Sequence, residues 1–297
     1  MLSLLLLTLL QSVIISSAPT YPTILIHGIA SNKNELVELS VALTNKGISV
    51  HNMEIGNGIV DSIFMNMNTQ CEVLAHNIDK LNISTDKINM IGISQGGLLA
   101  RCYTERYSHT IKLVSHLITI ASPHMGIYSE DWTFESLSYW KNPFRYIEYL
   151  FDNDFLVYIN NEKNHVDSGT YKYNLANIDN FTMIWSGIDS VIAPIASSQF
   201  EYYDIEFAQE HDKLVVDPLI DSTIFLNDNI GLYELYEKRR LHRYRIDCPH
   251  NEFKLTKCFN EVRGPSGMTL MDIIMEAYPF NNVVNNIICT LIIHKHS

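Results

Sequence analysis

The stretch Gly92-Ile93-Ser94-Gln95-Gly96 constrains this chain more than any other, because it reads as strand, sharp turn, serine and helix. Ile88 to Ile91 before it forms a short apolar run of strand type, and Leu98, Leu99 and Cys102 after it fall at helical spacing. A serine hydroxyl is a poor nucleophile until a tight turn holds it beside a base. Glycines two residues either side let the chain approach closely enough to present it. Thr23 to Ile26 is a second buried-type strand, running into His27-Gly28-Ile29-Ala30. The sequence therefore predicts a parallel sheet with an activated serine at its rim.

Strand, loop and serine together resemble the α/β-hydrolases, in which the loop after an early strand and the residue after the serine each supply a backbone N–H to an oxyanion hole. Those donors fall on Ile29 and Gln95. The order of such enzymes then calls for an acid and a base, in that order. Phe181 to Gly187 is strand-like and Asp189 follows it at once, whereas Asp212 and Asp217 follow no equally clear strand. Of the 12 histidines, His211, His242 and His250 are the internal candidates beyond the acid. His250 lies just after the expected last core strand around Tyr244 to Ile246, where the loop over the rim belongs, and is taken as the base.

The chain has 297 residues and is 46% hydrophobic, enough for one α/β domain, expected over 19–280. Its net charge of −12 argues against nucleic acid as a partner and against electrostatic attraction to anionic membranes. Residues 1–18 read as a secretory signal peptide, apolar from Leu4 to Ile15 and closed by Ser16-Ser17-Ala18. That stretch is short for a membrane span, as is Ile287 to Ile293 in the tail of 281–297, whose role the sequence does not assign; no stable span is expected. In an oxidising compartment the 5 cysteines are expected to pair as Cys71–Cys102 and Cys248–Cys258, leaving Cys289 free, although spacing does not fix connectivity. Asn82 and Asn180 begin sequons for N-glycosylation.

Further segments resemble the palmitoyl-protein thioesterases, from about Pro22 to Phe280. Met53-Glu54-Ile55-Gly56-Asn57 and Phe64 to Gln70 are similar to that family's Leu-Glu-Ile-Gly and Leu-Asn-Val-Asn-Ser-Gln. Ser122 to Tyr128, Tyr139-Trp140-Lys141-Asn142-Pro143 and Asp189-Ser190-Val191-Ile192-Ala193-Pro194 continue the likeness. The resemblance puts the triad on Ser94, Asp189 and His250 and the oxyanion donors on Ile29 and Gln95. The chain departs from it at Lys141-Asn142, where the family has His-Asp, at Ala193, and at Pro249, where an acidic residue is usual.

The resemblance implies an α/β-hydrolase that removes long acyl groups, such as palmitate, from S-acylated cysteines, with S-palmitoylated proteins, peptides or fatty acyl thioesters as partners. No metal or organic cofactor is required. A secreted lipase or carboxylesterase, and a non-catalytic acyl-binding protein, are the competing readings. Lysosomal residence is implied, with secretion as the alternative. An aromatic insertion over about 126–180 is expected to cap the site. Trp140, Phe144, Tyr149 and Phe155 are the candidates for lining an acyl groove.

Overall fold

The computed structural model describes residues 21–131 and 136–278. The expected signal peptide, the tail, Cys289, Trp132 and Phe134 lie outside these described residues. Six strands form one sheet: β1 Thr23–Ile26, β2 Val50–Met53, β3 Lys87–Ile93, β4 Leu113–Ile120, β5 Asn180–Trp185 and β6 Leu241–Arg245. Their order is β2-β1-β3-β4-β5-β6, and every pairing is parallel. This is the α/β-hydrolase architecture. A parallel sheet needs a long crossover between successive strands and is covered on both faces, so its inner strands read as continuous apolar runs. All of β1 is buried, as is β3 beyond its first residue.

Alternation along each strand divides the core in two. Leu25, Ile91, Ile118 and Ile184 meet helix α1, Val37–Asn45, and the C-terminal helix Leu270–Ala277 on one face. Ile24, Met90, Leu117 and Phe181 meet α2, Met67–Asp79, and α3, Gln95–Tyr107, on the other. The Cys71–Cys102 disulfide joins α2 to α3, and Cys248–Cys258 closes the loop beyond β6. From β1 the chain steps outward to β2, then returns to β3 on the opposite side of β1. The crevice beyond the C-terminal ends of β1 and β3 is where such a reversal leaves room for a ligand.

Two stretches stand outside the sheet and its helices. The first, between β4 and β5, ends in α4, Ser168–Ala176, which lies against α3 through Asn174 Nδ2 donating to the Glu105 carbonyl at 2.7 Å. That helix belongs to the layer on the sheet, so the part free to stand over the rim is shorter than the expected insertion. The second, between β5 and β6, holds short helices and the antiparallel pair Tyr202–Tyr203 with Val216–Asp217, and no sequence pattern announces it. The two are fastened together: Tyr128 N–H donates to the Ala193 carbonyl at 2.7 Å, Ser197 Oγ to the Gly126 carbonyl at 2.6 Å, and Tyr202 Oη to the Lys141 carbonyl. No helix among the described residues is long and apolar enough to cross a membrane.

Beneath the first stretch lies a buried polar cluster. Arg101 and Glu105 on α3 are both fully buried, and Arg101 donates to Asn160 Oδ1 at 2.7 Å. The Arg101–Glu105 contact is 3.6 Å, and neither Glu105 carboxyl oxygen has a hydrogen-bond partner. Desolvation therefore outweighs the attraction of Arg101 and Arg106 and pushes the Glu105 carboxyl up to about 8. Below its ordinary value of 4.5, folded and unfolded chains both hold this proton; between there and about 8 only the folded chain does. Stability from this group is thus complete at acid pH and lost as pH rises toward 8. Glu105→Gln should remove that slope: urea unfolding of both proteins from pH 4.5 to 8.5 should show the wild type losing stability relative to the variant. Parallel profiles would contradict a protonated Glu105.

Candidate active site

Ser94 follows the last residue of β3 and is the residue just before α3. Its backbone has φ 56° and ψ −128°, a left-handed conformation that ordinary side chains avoid. The strain is therefore on the serine itself. The flanking glycines serve a different need, close approach. A Cβ on Gly92 would lie 2.3 Å from the Gly96 carbonyl oxygen, and one on Gly96 only 2.4 Å from that of Ile26. The first turn of α3 is thereby laid directly on the end of β1. Ser94 N–H donates to the Ile120 carbonyl at 2.8 Å, tying the turn to β4 on its other side.

Asp189 sits on the loop after β5. Its Oδ1 accepts from Val191 N–H at 2.8 Å and Ile192 N–H at 3.0 Å, which leaves Oδ2 for His250 Nδ1 at 2.7 Å. His250 opens a one-turn helix, His250–Glu252, within the disulfide-closed loop, and its Nε2 lies 3.0 Å from Ser94 Oγ. All three side chains are buried. A carboxylate oxygen only accepts, so Nδ1 carries the ring hydrogen and Nε2 is free to take one from the serine. Such a chain can carry a proton from hydroxyl to imidazole while the carboxylate balances the charge that forms.

The loops bearing Asp189 and His250 are tied together by Asp247, which accepts from Gly187 N–H at 2.7 Å and pairs with Arg245 at 2.8 Å. The Arg245 hydrogen bond, with the Gly187 amide adding to it, holds the Asp247 carboxyl below its ordinary range. Nothing in the sequence marked this residue, since a lone aspartate on a loop carries no pattern. The other histidines considered go elsewhere. His242 is on β6, where its Nε2 donates to Asn180 Oδ1 at 3.0 Å at the opposite end of the sheet, and His211 is exposed, stacked on Phe207. Asp212 ends an outer helix, and Asp217 belongs to the two-residue strand.

Ile29 and Gln95 flank the serine. Gln95 opens α3, where first-turn N–H groups have no intrahelical acceptor. A Cβ on Gly28 would lie 3.0 Å from Ser94 Cβ, so the Gly28–Ile29 segment passes directly over the hydroxyl. The Gln95 side chain turns away from Ser94, donating to the Ser62 carbonyl at 2.8 Å and Gln70 Oε1 at 3.0 Å while accepting from Tyr139 Oη at 3.0 Å. These bonds set one wall of a cleft of about 220 Å³ lined by Gln95, Ser62, Phe64, Met65, Leu137 and Tyr139. Phe64 stands 80% exposed at its lip. The 62–67 wall was not singled out as a groove in the sequence.

Trp140 and Tyr149 line an adjoining cavity of about 380 Å³, but most of its wall is polar, including Asn66, Asn142, Arg145 and Glu148. Of the other two groove candidates, only Phe155 is corrected by its packing. Phe155 is wholly buried in the core with Arg106 over its ring at 5.7 Å, and Phe144 packs edge-on against Tyr128 at 6.0 Å. The sequon at Asn180 is corrected as well. Asn180 is the first residue of β5, half-buried, with Nδ2 donating to His116 Nε2 and Oδ1 accepting from His242, so its amide is already committed. Asn82 lies exposed in the turn before β3. Lys141, one of the departures from the resemblance, is buried with Nζ 2.8 Å from Glu162 Oε1 and 4.9 Å from the centre of the Tyr202 ring.

The family model described as palmitoyl protein thioesterase matches residues 22–250, a span that holds Ser94 and Asp189 and ends on His250. The chain belongs to this family. It is 32% identical over 273 residues to palmitoyl-protein thioesterase 3 of Dictyostelium discoideum, covering 84% of this chain and 91% of that protein. It is 28% identical over 248 residues to the lysosomal thioesterase PPT2 homolog of Drosophila melanogaster, covering 74% and 82%. Against palmitoyl-protein thioesterase 1 of Caenorhabditis elegans it is 23% identical over 246 residues, covering 73% and 80%.

In this thioesterase-family chain the approach of α3 to β1 should be intolerant of a single methyl group. Gly96→Ala is expected to cost about 2 kcal/mol or more of stability. Where it folds, it should cut fluorophosphonate labelling of Ser94 by at least ~100-fold, because the methyl would push the Gly28–Ile29 segment away from the hydroxyl. Labelling and unfolding midpoints like those of the wild type would show that the contact gives way cheaply.

Proposed function

We propose that this chain hydrolyses long-chain acyl thioesters, removing palmitate from S-acylated cysteines of proteins or peptides through an acyl-serine intermediate. The observation that carries the reading is the buried relay Asp189–His250–Ser94, at 2.7 Å and 3.0 Å, in a chain of this family. His250 takes the Ser94 proton as Oγ attacks the thioester carbonyl. The negative oxygen is received by the N–H groups of Ile29 and Gln95, usually the largest electrostatic contribution in such chemistry. Collapse of the intermediate breaks the C–S bond, and His250 returns its proton to the departing thiolate. Water, deprotonated by the same imidazole, then releases the fatty acid and restores the serine. Asp189 keeps the ring in the tautomer that presents Nε2 to the serine.

The cleft beside Gln95, with Phe64, Met65 and Leu137 in its wall, is the region we assign to the acyl chain. Each buried methylene contributes roughly 0.8 kcal/mol before the costs of ordering the chain, so a groove of this kind selects for length. The described residues between β4 and α4 form the cap over it. For location we propose the secretory pathway ending in the lysosome, supported by the leader-like N-terminus and by relatives named as lysosomal thioesterases.

Ser94→Ala should abolish release of thiol from a palmitoyl thioester, a loss of about 10⁴-fold or more, while leaving the unfolding midpoint unchanged. Wild-type protein should prefer the palmitoyl thioester to palmitoyl oxyester and to butyryl esters. Equal or faster oxyester cleavage would replace this reading with that of a lipase or esterase, and retained turnover in the variant would remove Ser94 as nucleophile.

A further inference from the structure

His27 directly follows β1, and it is 1% exposed. Its Nδ1 lies 2.9 Å from the carbonyl oxygen of Gly28. A carbonyl only accepts, so Nδ1 carries a hydrogen and donates it. On the opposite edge of the ring, Nε2 lies 3.1 Å from Glu54 Oε1 and 3.3 Å from the Ile55 amide nitrogen, both just beyond the end of β2. Glu54 is itself held by the Lys33 N–H, 3.4 Å from each carboxyl oxygen. The carboxylate asks Nε2 for a hydrogen, and the amide asks it for a lone pair. Either state of the ring leaves Nδ1–H in place.

The Gly28 carbonyl and the Ile29 N–H are two ends of one planar peptide and point in opposite directions across it. Holding the oxygen therefore aims the hydrogen. We propose that His27, braced by Glu54, is a positioning residue that directs the Ile29 N–H at the developing oxyanion. The inference rests on the reading of Ile29 as an oxyanion donor. It gives a physical role to His27 and to Glu54, which lie in separate stretches of sequence and meet only in the fold.

Two near-isosteric substitutions separate aiming from packing. The Asn amide nitrogen falls near the place of Nδ1, so His27→Asn keeps the donor to Gly28 and loses Glu54. The Gln amide nitrogen falls near the place of Nε2, so His27→Gln keeps Glu54 and loses the donor. His27→Asn is expected to hold kcat on a palmitoyl thioester within roughly 5-fold of wild type, and His27→Gln to lose about 10- to 100-fold, with KM little changed in both. Fluorophosphonate labelling rates at Ser94 should fall in the same ratio. Glu54→Gln, which leaves the ring in place, should lower labelling by roughly 2- to 10-fold. Equal losses in the Asn and Gln variants, or a loss confined to KM, would overturn the proposal and leave His27 a packing residue. A wild type that labels at Ser94 but spares the palmitoyl thioester would contradict the proposed substrate instead, and the ratio of the two labelling rates would still decide the role of His27.

Discussion

The packing of the first turn of α3 on the end of β1, with no room for even a methyl group between them, is the contact on which the rest depends. It fixes the distance between the Gly28–Ile29 segment and the Ser94 hydroxyl, because the same glycine touches the carbonyls of Ile26 and His27. With that distance set, the strained backbone of Ser94 aims its hydroxyl toward the rim rather than into the helix. The sheet order adds the rest. β3 lies between β1 and β4, so the serine has the Gly28–Ile29 loop on one side, with the β5 and β6 loops beyond β4 on the other.

Strain at one residue persists only where its surroundings over-determine it. Here the serine amide is bonded to β4, the helix is bolted to α2 by Cys71–Cys102, and the His250 loop is closed by Cys248–Cys258. A disulfide closing so short a loop contributes about 3 kcal/mol in the chain-entropy view. Its local effect is to limit where His250 can go. Asp247 then joins the loops that carry Asp189 and His250, so that these two side chains are held relative to each other as well as to the sheet. The buried Arg101, Glu105 and Asn160 cluster joins α3 to the segment that precedes α4.

What was legible in the sequence follows from burial. β1 and β3 are covered on both faces, so each is dominated by apolar residues, with Asn89 of β3 a buried polar exception, and the glycines of the serine turn are visible because contact distance leaves no other residue possible. The positions of Asp189 and His250 could be read from strand order, since each directly follows a strand in a sheet whose connections repeat. The stretch between β5 and β6 was not legible: its short helices follow no period long enough to detect and are held by contacts distant in sequence, such as Ser197 with Gly126. Aromatic content over 126–180 likewise did not reveal which rings face inward. Phe155 is core, whereas Phe64, outside that stretch, is the exposed ring at the cleft. The pairing of His27 with Glu54 joins residues that follow separate strands, and no spacing rule connects them.

The central claim is that the acyl group passes through a covalent bond to one hydroxyl. Rapid acid quenching of the wild-type protein during turnover of a palmitoyl thioester, followed by peptide mass mapping, tests it most directly. The account predicts a palmitoyl adduct on the peptide containing Ser94, formed within the first turnover and absent after substrate is exhausted. Turnover with no adduct at any time, or with the adduct on another residue, would contradict it.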